Sequence, residues 1–166
     1  NNGATATERH EVTLAIDNAG KVLASWWERK SDGTQPEGVF YRRVNNDLSA
    51  ITGENETQVN NPPAVPDNVK RGLRASVATD TSGNFGISWT GNVNDPTDTR
   101  VNVFGKGHNP TPSVIRKDFR LDLAPRTSAP LHPRIARGPF SNCYAISWRD
   151  NRTGKYEVYT RVISTQ

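Results

Sequence analysis

TDTSGNFGISW, Thr79 to Trp89, holds an Asp and a Gly three residues apart, with a Trp six residues after the Gly. The same Asp, Gly, Ser and Trp stand at the same offsets in IDNAGKVLASW, Ile16 to Trp26, and GPFSNCYAISW, Gly138 to Trp148, repeats the ending. With Ser25-Trp26, Ser88-Trp89 and Ser147-Trp148 in register, the Trp residues lie 63 and 59 positions apart. A period that long suits one small sheet per repeat, not one turn of a solenoid.

Ahead of each Trp, alternate positions read Val22, Ala24, Trp26; Phe85, Ile87, Trp89; and Tyr144, Ile146, Trp148. Period-2 alternation of this kind marks a strand, and these three Trp are expected in the core. The opposite face is small in two units, Asn84, Gly86, Ser88 and Cys143, Ala145, Ser147, against Lys21, Leu23, Ser25 in the first. Small residues there let a neighbouring sheet approach closely. Cys143, the one cysteine, is read as a buried filler on that face, since no His stands beside it to activate the thiol.

A second strand precedes each of these, carrying Leu14-Ala15, Val77-Ala78 and Ile135-Ala136 at equivalent places. The linking segments Asp17-Asn18-Ala19-Gly20 and Asp80-Thr81-Ser82-Gly83 read as type I turns, with the Asp side chain accepting backbone N–H bonds and Gly taking φ > 0. In the third unit the turn is one residue longer and Asn142 fills the Gly slot. Third strands follow at VFYRRV (39–44), VNVFGK (101–106) and VYTRVI (158–163), and fourth strands near 55–60 and 113–123. Each unit is thus a four-stranded antiparallel meander of roughly 50 to 60 residues. The expected organisation is one propeller segment with a first blade at about 12–60, a second at about 72–123 and a third at about 131–164. The third is expected to be completed by an N-terminal strand at about 1–11, because NNGATATERHEV reads like the fourth-strand region of the first unit.

The pattern A-x-D-x-x-G-x-x-x-x-S-W, a polar loop, then V-x-x-R, resembles the W-containing repeats of secreted bacterial β-propellers, a sialidase-like and lectin-like group, over nearly the whole chain. Sialidase-type propellers carry a related Asp-box hairpin, S-x-D-x-G-x-x-W, whose spacing differs from the Asp-x-x-Gly found here. The resemblance implies an all-β propeller and a secreted, cell-surface or periplasmic location. Three blades do not close a ring, which needs at least about four. The expectation is therefore six blades, from a homodimer or from a longer parent chain; the absence of Met leaves a processed product and a segment both open.

Composition agrees with many short strands joined by turns. At 18.3 kDa, with a mean hydropathy of -0.73, 33% hydrophobic residues, 13 Gly and 11 Pro, the chain is too polar and too punctuated for a helical bundle. No stretch approaches the roughly 18 apolar residues that span a bilayer, so no membrane span is expected. A single cysteine excludes an intrachain disulfide and CxxC metal sites. The net charge is +4 and 15 of the 21 basic residues are Arg, which suits carboxylate, sulfate or phosphate on a partner. The Arg residues lack interleaved aromatics, which argues against nucleic acid.

In such a fold the loops after the second strands open on one face around the channel. Here these are WERKSDGTQPEG (27–38), TGNVNDPTDT (90–99) and RDNRTGK (149–155). Their candidate ligand-binding residues are Trp27, Arg29, Asp32, Asn92, Asn94, Asp95, Arg149, Asp150 and Arg152. An aromatic face with Arg, Asn and Asp is sugar-binding chemistry, since C–H faces stack while hydroxyls pair with planar groups. The reading is a non-catalytic, lectin-like module for glycans or a glycosylated or anionic partner, with shallow repeated sites. A protein-interaction domain of a larger surface protein and a sialidase-like glycosidase remain as alternatives. For the last, Glu28, Asp32, Asp95 and Asp150 are carboxylates that nothing in the sequence pairs, and Arg42, Arg43, Arg134 and Arg161 do not map onto an arginine triad. His10, His108 and His132 are isolated and are read as neither ligands nor bases. No cofactor is expected; SDGT and NDPTD offer oxygen atoms to calcium without EF-hand spacing.

Overall fold

The structure is a computed structural model and describes residues 7–30, 38–59, 73–90, 99–104, 114–120, 131–140, 143–150 and 153–164. These residues are all-β, in three antiparallel sheets that follow one another along the chain. The first sheet runs β1 (Thr7–Ile16), β2 (Val22–Lys30), β3 (Gly38–Val44) and β4 (Thr57–Gln58). The second runs β5 (Leu73–Thr79), β6 (Phe85–Thr90), β7 (Thr99–Phe104) and β8 (Val114–Arg120). The third has β9 (Leu131–Arg137), β10 (Cys143–Asp150) and β11 (Glu157–Ser164). Each strand pairs with its sequence neighbour, so each sheet is a meander. No helix among the described residues is long and apolar enough to cross a membrane.

The repeated hairpin turns have a local cause. Asp17 Oδ1 accepts from the N–H groups of Ala19 and Lys21, both at 2.9 Å, while Gly20 sits at φ 78°. Asp80 Oδ1 does the same for Ser82 and Asn84 at 2.8 and 2.9 Å, and Gly83 sits at φ 81°. The carboxylate satisfies N–H groups that the tight turn removes from the ladder, and glycine carries the left-handed step without a Cβ clash. Asn142 lies outside the described residues. Register then follows from the turns: Leu14 pairs with Ala24, Val77 with Ile87 and Ile135 with Ile146, each partner two residues before a repeat Trp.

Packing between sheets follows one rule, used twice. The large-residue face of the second sheet (Val77, Phe85, Ile87, Trp89) packs on the small face of the first, where Leu23, Val39 and Tyr41 complete a buried cluster. The large face of the third (Ile135, Tyr144, Ile146, Trp148) packs on the small face of the second beside Ala78. Glycine at position 86 eases this approach, since a Cβ there would meet Ile135 Cδ1 at 2.7 Å and that side-chain end would have to shift. The first strands β1, β5 and β9 lie in a row, with β5 against both of the others. Thr79 Oγ1 donates to the Ile16 carbonyl at 2.8 Å, and the Ile135 N–H donates to Ser76 Oγ at 3.3 Å. Cys143 is buried, on the small face of the third sheet.

The N-terminal segment departs from the expected organisation. Residues 7–11, assigned above to a strand completing the third unit, are the beginning of β1: Thr7 pairs with Lys30, Glu8 with Arg29, Arg9 with Glu28 and His10 with Trp27. The first unit therefore begins at Thr7 instead of about 12. Side chains hold the segment there, since Arg9 bridges Glu28 at 2.7 Å and Glu56 at 2.8 Å while His10 stacks on Trp27 with ring centroids 4.2 Å apart. Residues 1–6 lie outside the described part of the chain.

Candidate functional site

The first strand of each sheet, β1, β5 and β9, is interrupted at the same place. Between the pairs His10 to Trp27 and Thr13 to Ser25, β1 sets two residues, Glu11 and Val12, opposite Trp26 alone. Arg74 and Ala75 stand likewise opposite Trp89, and His132 and Pro133 opposite Trp148. These are β-bulges, which turn a side chain out of the pleat and recur next to functional sites. The first bulge residue has left-handed backbone in all three: Glu11 at φ 50°, Arg74 at φ 56° and His132 at φ 55°. Glycine would carry that backbone without strain, whereas a residue with a Cβ costs on the order of 1–3 kcal/mol there. The chain places a charged or titratable side chain at all three positions. That choice favours side-chain chemistry over backbone ease.

The bulges lie near the end of the sheets where β1, β5 and β9 begin and β2, β6 and β10 finish. Arg74 Nη1 is in hydrogen-bond contact with His132 Nε2 across the second and third sheets. A guanidinium only donates, so the contact requires a lone pair on that nitrogen and therefore a neutral imidazole. His132, although exposed, titrates below the ordinary histidine value, first because neighbouring groups displace part of the water around the ring and then because the Arg74 charge disfavours the cation. Glu11 opposes that effect, and Arg134 and Arg149 add to it. The three bulge residues thus share one electrostatic neighbourhood with two further arginines. Arg149 also lies over the exposed ring of Tyr156, 4.0 Å from its centroid.

A pH dependence follows. Because the folded pKa of His132 lies below the unfolded one, the unfolded chain takes the proton more readily, so this contribution to stability is complete above pH 6.5 and is lost as pH falls through and below that value. In an NMR titration the His132 midpoint is expected below 6.5, and Arg74→Gln is expected to move it upward by removing the neighbouring charge. An unchanged midpoint in Arg74→Gln would show that the guanidinium does not act on the ring.

The residues singled out from the sequence fare unequally. Arg149 is part of the cluster. Trp27 stands at the same end, but one indole face is covered by His10 and the ring packs against the core between the first two sheets. Arg29 pairs with Glu8, and Asp150 with Glu157, so both backbones lie at the strand ends of this face. Asp32, Asn92, Asn94, Asp95 and Arg152 lie outside the described residues, as do the SDGT and NDPTD segments considered for calcium. Among the described residues no three His, Cys, Asp or Glu side chains are grouped to hold a metal ion.

Glu11 and Arg74 are not singled out by the sequence, and His132 is set aside there as isolated. A faint signal exists: the three stand three residues before Leu14, Val77 and Ile135. Their types differ, and no glycine marks the bulge, so a comparison of residue identities passes over them. No protein-family model matches the chain, and no curated protein matches its sequence.

Proposed function

We propose that the three sheets are successive blades of a β-propeller and that the protein is a non-catalytic carbohydrate-binding module, with its ligand at the end of the sheets that carries the bulges. The observation that supports this most is the threefold recurrence of a left-handed bulge bearing Glu11, Arg74 and His132. The three side chains offer an acceptor, a planar five-donor fork and an imidazole, which together suit the hydroxyls and carboxylates of a sugar chain. Arg134 and Arg149 tip the balance toward anions, so acidic sugars bearing carboxylate or sulfate are the favoured class. The exposed Tyr156 beside Arg149 adds an aromatic face at the same edge.

Glycoside hydrolysis would require two carboxylates flanking one bond. Among the described bulge residues Glu11 is the single carboxylate, in basic company. The bulge residues themselves thus favour binding of anions over glycoside hydrolysis at this cluster. Such binding suits a module acting on glycans at a cell surface, where weak equivalent sites gain strength from multivalency.

The test is binding to immobilised neutral and acidic oligosaccharides, with monovalent sugars in solution for comparison. Tighter binding to the acidic surface is expected, and Arg74→Gln and Arg149→Gln are each expected to weaken it about tenfold, as loss of one charge-assisted hydrogen bond does. A folded protein that ignores every glycan, or whose binding survives both substitutions, would overturn the proposal; so would turnover of glycosides.

A further inference from the structure

Five of the eight large hydrophobic residues left exposed among the described residues, Val12, Leu14, Ile16, Val158 and Val162, lie on two faces at opposite ends of the row of sheets. Comparison of equivalent positions shows what these faces lack. On the large face of β1, β5 and β9, Val77 and Ile135 are 7% and 8% exposed because a preceding sheet covers them, whereas Leu14 is 64% exposed. On the small face, Val39 is fully buried under the second sheet, whereas its equivalent Val158 is 75% exposed. Arg43 and Val162 repeat the contrast at 5% and 65%. The first sheet thus lacks a small face in front of it, and the third lacks a large face behind it.

We infer that the small face of the third sheet receives the large face of the first sheet of a second copy, so that two chains close six sheets around one two-fold axis. Each open face is of the type that the other receives twice within the chain, from first sheet to second and from second to third. A third-to-first contact repeats that operation with no new kind of interface. Two copies form it twice and leave neither apolar face in water, which is the closed solution for a head-to-tail contact. Contiguous exposed apolar patches of this kind mark association sites. On the first sheet the bare part is β1, since Arg9 already covers Trp26, with its guanidinium carbon 5.1 Å from the ring centroid. Closure also brings both sets of Glu11, Arg74 and His132 around one axis. The inference rests on reading the sheets as blades and is independent of the ligand.

Size-exclusion chromatography with light scattering on the 166-residue chain tests it. The expected mass is about twice 18.3 kDa, falling to 18.3 kDa in both Leu14→Asp and Val162→Asp with the β-sheet circular dichroism unchanged. Should either variant lose that spectrum, Ile16→Lys and Val158→Lys repeat the test on the same two faces. A wild-type mass of 18.3 kDa would overturn the inference, as would masses that climb beyond two copies with concentration. Disruption by the first-sheet variants alone would overturn it too, because it would mean that two first sheets pair face to face. Glycan binding by a stable monomer would sink this inference and leave the ligand reading standing.

Discussion

Trp89→Ala is expected to destabilise the protein by about 3–5 kcal/mol, the usual cost of emptying a large aromatic site in a packed core. Trp89 is 1% exposed and belongs to the buried cluster that joins the first and second sheets, with Leu23, Val39 and Tyr41 on one side and Phe85 and Ile87 on its own. Its Nε1 has no hydrogen-bond partner among the described residues, where the indole contributes by area and shape. The cavity would fall between two sheets that neither turn nor ladder can draw together. Trp26→Ala is expected to cost less, because Trp26 lies on the open face and keeps Phe40 and Arg9 as its cover. Urea unfolding of the two variants decides the matter. For a domain of this size the loss at Trp89 corresponds to a fall in melting temperature of roughly 6–20 °C. Equal midpoints for the two variants would contradict the packing rule on which the sheet order rests.

Arg43→Ala is expected to cost a comparable amount, about 3–5 kcal/mol, through a different mechanism. The Arg43 side chain is 6% exposed and that of Glu54 8%, and the guanidinium meets the carboxylate as a fork, with Nε donating at 2.7 Å and Nη2 at 2.5 Å. The same guanidinium lies over the Phe85 ring, 5.5 Å from its centroid, so the pair ties β3 and the turn after it to the second sheet. Removing Arg43 leaves a buried carboxylate without its counter-charge. The double variant Arg43→Leu, Glu54→Leu is expected to recover most of the loss, because no charge then remains buried. Chemical denaturation of the three variants gives the coupling. Single losses that simply add in the double variant would show that the two side chains do not act as a unit. Arg43→Lys is expected to recover little, since an ammonium lacks the fork and packs poorly on the ring.

The candidate site was less legible than the fold. Arg149 could be reached from the sequence because it follows a repeat Trp at the mouth of a polar loop. Trp27 could be reached too, but only the tertiary structure shows that His10 lies on its face. Glu11, Arg74 and His132 were hidden because a bulge is a property of two strands. It appears only when Trp26, Trp89 and Trp148 are each found opposite two residues instead of one. The beginning of β1 was hidden for a related reason. Residues 7–11 read like the fourth-strand region of the first unit, and it is pairing across the bulge, with Arg9 on Glu28, that makes them part of β1.

By itself the sequence determined the local features: hairpins set by Asp17 and Asp80 with Gly20 and Gly83, strands set by period-2 alternation, and the threefold recurrence of both. These depend on contacts within a few residues, where side-chain type and spacing are sufficient. Tertiary structure alone decided which face of each sheet meets the next, and that Gly86 admits Ile135. It also decided that within one chain Leu14 and Val158 are left bare while their equivalents Val77, Ile135 and Val39 are covered. The reason is that apolar residues signal burial without naming the surface that buries them. Two faces with the same alternation pattern differ only in what lies across from them.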